Sequence, residues 1–191
     1  MINNKSLIIF DFDYTIAKTS EKIWVVSPRG NYFFDGTKYN VVHPRDMTNI
    51  AKDEGLNNHS FHEFFDINLS KAKAIQPVIR NLIYYNLIAQ EKIKILTARP
   101  QCCDKKIKSF LMQFNLNLNI IHIKGLQDSK AMSKINYIKT ELEKKEYNQV
   151  IIYEDNLDVI NLVKKNFIPS ETNFIKNLYN RTEIISEYNY E

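Results

Sequence analysis

The chain has 191 residues, of which 44% are hydrophobic and 25% charged, a balance that argues against disorder and suits one well-buried domain with a modest insertion. Its net charge is +4, with the lysines spread along the sequence; the absence of a dense basic run excludes a membrane-surface patch and specific duplex DNA binding as leading expectations, while an anionic ligand suits the balance. The two cysteines, Cys102 and Cys103, are adjacent, so they provide neither a disulfide framework nor the spacing of a zinc knuckle.

In chain order, a polar start leads into the apolar run 7–10, which Asp11 breaks too soon for a signal peptide or a membrane span. A cytoplasmic, reducing location is therefore expected. The run is rich in Ile and ends abruptly, as buried parallel strands do. Then the pattern changes: Ile23, Trp24, Val25 and Val26, a turn at Ser27-Pro-Arg-Gly30, and Tyr32-Phe-Phe34 predict a β-hairpin, followed by a short helix over 44–54 stopped by Gly55. Residues 16–68 are expected to form a small cap or flap inserted after the first strand of a single domain spanning 1–191.

A helix is predicted over 70–90, where Ala74, Val78, Leu82, Tyr85 and Ile88 recur at helical spacing and Pro77 belongs near a first turn or a kink. Strand-like runs follow at 93–96, 118–123 and 150–153, separated by two more helical segments. One is opened by Pro100 and carries Ile107, Phe110, Leu111 and Phe114; the other is capped by Asp128 or Ser129 and carries Ile135, Ile138 and Leu142. Alternating strands and helices predict an α/β fold with a doubly wound parallel sheet. Beyond Tyr179 the polar tail is expected to be loose.

In such a sheet the side chains just past the carboxyl ends of the strands meet in one crevice. The first run is followed by Asp11-Phe-Asp13-Tyr-Thr15, the second by Thr97-Ala-Arg99-Pro100, and the last by Glu154-Asp155. Carboxylates gathered so closely repel one another unless a cation lies among them, and oxygen donors of this kind favour Mg2+. Phosphoryl transfer has a use for each part: a nucleophile, a metal and an ammonium for the phosphate oxygens, and an acid for the leaving group. Lys130 and Lys134, one turn apart near the start of a helix, both offer the ammonium. Lys134 is the preferred choice because Tyr137 and Ile138 anchor that helix to the sheet.

These four groups of residues, in this order from about Leu7 to Val163, resemble the motifs of the haloacid dehalogenase superfamily, and within it small phosphatase-like proteins of bacteriophages. The resemblance implies a Rossmann-like sheet and a phosphatase acting through an aspartyl-phosphate. It makes Asp11 the nucleophile and Asp13 the acid and base, with Thr15 supporting the loop. Thr97 and Lys134, with Arg99 beside them, would hold the phosphate. The metal would lie against Asp11, the backbone carbonyl of Asp13, Asp155 and Glu154. Tyr14 stands where the family usually has Gly, so a stiffer turn and a narrower pocket are expected. The interval 123–134 is too short for a large cap, leaving 16–68 as the candidate cover. Such a cover would admit a bulky phosphorylated substrate, such as a nucleotide or a nucleic-acid end, as well as a phosphorylated small molecule.

Other readings compete. His59 and His62 lie near acids, but Phe61, Phe64 and Phe65 around them favour a packed amphipathic segment over a metal pair. Trp24, Tyr32 and Phe33 are expected to pack the hairpin rather than stack a base, and Cys102 and Cys103 to be buried as small apolar groups. A non-catalytic protein holding a phosphorylated partner in the same crevice, or a phosphotransferase that passes the group to an acceptor other than water, would share most of these residues.

Overall fold

The computed structural model describes residues 6–20, 69–88, 93–128, 130–144, 147 and 149–167, together with the backbone of short strands between 23 and 60 and between 173 and 184. The first strand, β1 (Ser6–Phe10), is buried at all five positions. A strand covered on both faces needs apolar side chains throughout rather than in alternation, and the run Leu7-Ile-Ile-Phe10 meets that need.

After the turn 11–16, β2 (Ala17–Lys18) pairs antiparallel with β7 (Lys73–Ala74). Between them β3 (Ile23–Val26), β4 (Tyr32–Phe34), β5 (Thr37–Val42) and β6 (His59–Ser60) form a small antiparallel sheet in the order β4-β5-β3-β6. The two ends of the inserted segment are thus held side by side. The expected hairpin between 23–26 and 32–34 is not the pairing found: β3 pairs with β5 and β6, and β4 pairs with β5. Phe34 lies opposite Thr37, leaving Asp35-Gly36 between them, and Asp-Gly is the stronger two-residue hairpin signal. The helix expected over 44–54, and His62 with its neighbouring phenylalanines, lie outside the described residues.

The helix α1 (Gln76–Ile88) begins later than the periodicity alone predicts. Pro77 has no backbone N–H and fits only the first turn, so Ala74 falls in β7 and not on the helix. Val78, Ile79, Leu82 and Tyr85 are its buried face, while Ile88 is 42% exposed. The chain then runs through β8 (Ile93–Thr97), α2 (Asp104–Leu111), β9 (Ile121–Gly125), α3 (Ala131–Lys144), β10 (Gln149–Tyr153), α4 (Leu157–Asn166) and β11 (Asn173–Ile175). Short 3-10 turns flank α2 over Gln101–Cys103 and Met112–Phe114, so the helical stretch from Pro100 is built of three pieces. Another occupies Leu118–Ile120, which moves the strand expected at 118–123 toward Gly125. The polar tail holds a short antiparallel pair, β12 (Tyr179–Asn180) with β13 (Glu183–Ile184), where a loose end was expected.

Strands β11, β10, β1, β8 and β9, in that order, make one parallel sheet. Alternate residues of its strands feed two cores. Ile8 and Phe10 pack with α1 and α2 residues such as Leu82, Ile107 and Leu111. Leu7 and Ile9 pack with Ile135 and Ile138 of α3 and Val159 and Val163 of α4. The protein is therefore an α/β fold, a parallel sheet with helices on both faces, compatible with a Rossmann-like arrangement. From β1 the chain winds outward to β8 and β9, then returns to β10 on the other side. That reversal opens a crevice at the carboxyl ends of β1 and β10. Among the described residues no helix is long and apolar enough to cross a membrane.

Candidate functional site

Phe10 and Tyr153 are register partners at the ends of β1 and β10, and their rings stack with centroids 4.4 Å apart. The residue after each is an acid. The Asp11 N–H still donates to the Tyr153 carbonyl at 2.9 Å, which carries the pairing one step beyond the strands and delivers Asp11 beside Glu154. Both are buried, Asp155 is half-buried, and one carboxylate oxygen from each of the three lies within 4.8 Å of those of the other two.

Lys134, in the first turn of α3, reaches into this group. Its Nζ donates to Asp11 Oδ1 and to Glu154 Oε2, both at 2.7 Å. Asp128 starts that helix by accepting from the Lys130 N–H at 2.9 Å and the Ser133 hydroxyl at 2.6 Å. Lys130 itself is exposed, so of the two candidate lysines the fold brings Lys134 to the acids.

Burial pushes the Asp11 carboxyl up to about 7, with the nearby Glu154 and Asp13 charges adding to the rise and Lys134 opposing it. Burial also raises Glu154, against the pull of Lys134. For Lys134 burial favours the neutral amine, but the Asp11 and Glu154 charges outweigh it and hold the ammonium above its usual range. With the three carboxylates ionised, one ammonium leaves two negative charges in excess. A hard divalent cation with oxygen ligands fits both that charge and that donor set, and Asp11, Glu154 and Asp155 are the side chains that would hold it.

The turn after Asp11 is closed by the Ile16 and Ala17 N–H groups, both donating to the Phe12 carbonyl at 3.0 Å. Tyr14 takes a left-handed φ of 61°, a conformation that costs a residue with a Cβ about 1–2 kcal/mol. Its N–H donates to the Ala17 carbonyl at 2.7 Å and its phenol to the Thr19 carbonyl at 2.9 Å, which offset that strain. Thr15 is fully buried, and its hydroxyl has no hydrogen-bond partner among the described residues.

Asp13 does not join the cluster of Asp11, Glu154 and Asp155. Its carboxylate accepts from the Thr19 hydroxyl at 2.8 Å and from the Arg99 guanidinium at 2.6 Å and 2.9 Å. Arg99, expected beside the phosphate-binding groups, is fully buried and turned onto Asp13. Thr97 is buried at the end of β8, where its Oγ1 accepts from the Arg99 N–H at 3.2 Å.

The sequence reading missed Thr19, Gln101 and Gly125. Gln101 binds the end of β9 twice, donating to the Ile123 carbonyl and accepting from the Gly125 N–H, both at 3.0 Å. A Cβ on Gly125 would come within 2.5 Å of the Arg99 carbonyl oxygen and 2.6 Å of the Gln101 nitrogen. Only Gly125 carried a signal, as a glycine closing a strand where another backbone approaches; a lone threonine after a turn and a glutamine in a 3-10 turn carry none. No protein-family model, curated protein or solved structure matches the chain.

Proposed function

We propose that this protein is a magnesium-dependent phosphatase of the haloacid dehalogenase type, hydrolysing phosphate monoesters through an aspartyl-phosphate on Asp11. The observation that carries this reading is the convergence of Asp11, Glu154, Asp155 and Lys134 at the crevice of a parallel sheet, with a second acid, Asp13, two residues beyond the first. An ammonium held among carboxylates in a buried site is suited to phosphate oxygens, and a buried carboxylate at a strand end to in-line attack.

Asp11 attacks the phosphorus while Asp13 gives a proton to the departing oxygen, whose bond to phosphorus breaks. Asp13 then takes a proton from the water that attacks the phosphoryl group, releasing Asp11 and inorganic phosphate. Thr97 and Lys134 hold the transferred phosphoryl group between the two steps. Magnesium held by Asp11, Asp155, Glu154 and the Asp13 carbonyl would neutralise the carboxylates and polarise the phosphate oxygens. Residues 16–68 serve as the small cap, which leaves room for nucleotides or phosphorylated nucleic-acid ends as substrates.

The purified protein is expected to release phosphate from a generic aryl phosphate when magnesium is present. Asp11→Asn is expected to lower kcat at least about a thousandfold, on the scale seen when a covalent nucleophile is removed, and excess chelator to abolish turnover. Undiminished activity in either case would refute the assignment.

A further inference from the structure

Two groups from separate parts of the chain grip the Asp13 carboxylate. The Arg99 Nη2 donates to Oδ1 at 2.6 Å, and its Nε lies 2.9 Å from Oδ2 and 3.2 Å from Oδ1. Thr19 adds its hydroxyl to Oδ1 at 2.8 Å. A planar guanidinium that meets a carboxylate through two nitrogens fixes the plane of the carboxylate as well as its place.

The grip is itself anchored. The Arg99 N–H is tied to Thr97 Oγ1, its carbonyl accepts from the Gln127 N–H at 3.3 Å, and the approach of Gly125 leaves its backbone no space to move that way. Thr19 is held in turn by the Tyr14 phenol. The Arg99 side chain is 0% exposed, so it presents no open surface to a substrate in the crevice.

We propose that Arg99, assisted by Thr19, is the positioning residue for Asp13, aiming its carboxyl at the leaving oxygen rather than binding the phosphate of the substrate. The inference rests on the phosphatase reading of the site. When the phosphoryl group passes to Asp11, the bond from phosphorus to the leaving oxygen breaks and its electron pair stays on that oxygen. An alkoxide needs a proton at that moment, which Asp13 must bring on Oδ2, the oxygen with the fewer hydrogen bonds, and which leaves with the alcohol; a dinitrophenolate departs without it.

The test compares kcat/KM for an alkyl phosphate and for dinitrophenyl phosphate in Arg99→Lys, which keeps the charge and loses the fork. Because general acid catalysis contributes about 10²–10⁴-fold, the alkyl ester is expected to lose about 100-fold or more and the dinitrophenyl ester less than about 10-fold. Inhibition by inorganic phosphate should be unchanged. Hydrolysis of the aspartyl-phosphate also needs Asp13, so dinitrophenolate should appear in a burst stoichiometric with enzyme.

Thr19→Val should show the same asymmetry to a smaller degree, and it decides the matter if Arg99→Lys does not fold. Equal losses on the two esters, no loss on either, or weakened phosphate inhibition would overturn the proposal. A wild-type protein inert toward both esters would overturn the phosphatase reading and the proposal with it, an outcome distinct from a variant that loses both activities equally.

Discussion

Asp11 carries a negative charge into a buried place already shared with Glu154 and Asp155, and Lys134 answers only part of that charge. A pH dependence follows. In the native protein without metal the Asp11 carboxyl keeps its proton up to about 7, against an ordinary value of 3.8. Between those values the folded state binds more protons than the unfolded one, so stability is lost as the pH rises through the window. Glu154, raised in the same direction, adds to the loss. Asp128 and Glu141 are shifted down, and their contribution disappears only on acidification. Thermal unfolding in chelator is thus expected to show Tm falling from about pH 5 to about pH 8, and Asp11→Asn to flatten that slope. A magnesium ion needs ionised ligands, so its apparent affinity should weaken as the pH drops below about 7, which titration calorimetry in buffers of different ionisation enthalpy would measure.

The elements place these residues through contacts away from the crevice. The stacked Phe10 and Tyr153 sit one residue before Asp11 and Glu154, so strand register sets which acids emerge together; a one-residue slip would send them to opposite faces. On the other side of β1, the loops after β8 and β9 are sewn together. The Leu126 N–H donates to the Thr97 carbonyl at 2.9 Å, Gln101 bridges to Ile123 and Gly125, and Gly125 permits the close approach of the 99–101 backbone. Gly125→Ala puts a methyl group against backbone atoms that cannot rotate aside. It is expected to cost roughly 1–3 kcal/mol in chemical denaturation, as overpacking does, and to lower kcat/KM by displacing Thr97 and Arg99. Wild-type stability and turnover in that variant would show that the two loops are less firmly joined than their hydrogen bonds imply.

Across the whole molecule, two apolar cores clamp the parallel sheet from both faces, and they make it possible to hold unbalanced charge at one end. Like-charged carboxylates destabilise the native state, and the cores must outweigh that cost when no cation is present. Magnesium is therefore expected to stabilise the fold as well as to support turnover. At a free concentration about a hundred times its dissociation constant the gain approaches about 2.7 kcal/mol, read as a rise in Tm. Asp155→Asn should remove most of that rise without lowering the Tm measured in chelator. A wild-type Tm indifferent to magnesium would contradict the assignment of these acids as metal ligands.

Strands β1, β8 and β10, and the acids that follow β1 and β10, could be read from the chain alone. A strand buried on both faces must be apolar throughout, and the change to Asp11, Thr97 or Glu154, still buried, marks where the strand ends in the crevice. The start of α1 was not legible: periodicity put it at 70 and Pro77 allowed a first turn or a kink, and only the pairing of Lys73 and Ala74 with β2 moves it to Gln76. Lys134 was chosen over Lys130 on the anchoring of its helix, and the distances to Asp11 and Glu154 give that choice its geometry. The pairing of β3 with β5, the union of β2 with β7, the grip of Arg99 and Thr19 on Asp13, and the close fit at Gly125 depended on folding in three dimensions. Each joins residues far apart in the chain, or side chains whose direction a turn decides, and hydrophobic periodicity carries no information about either.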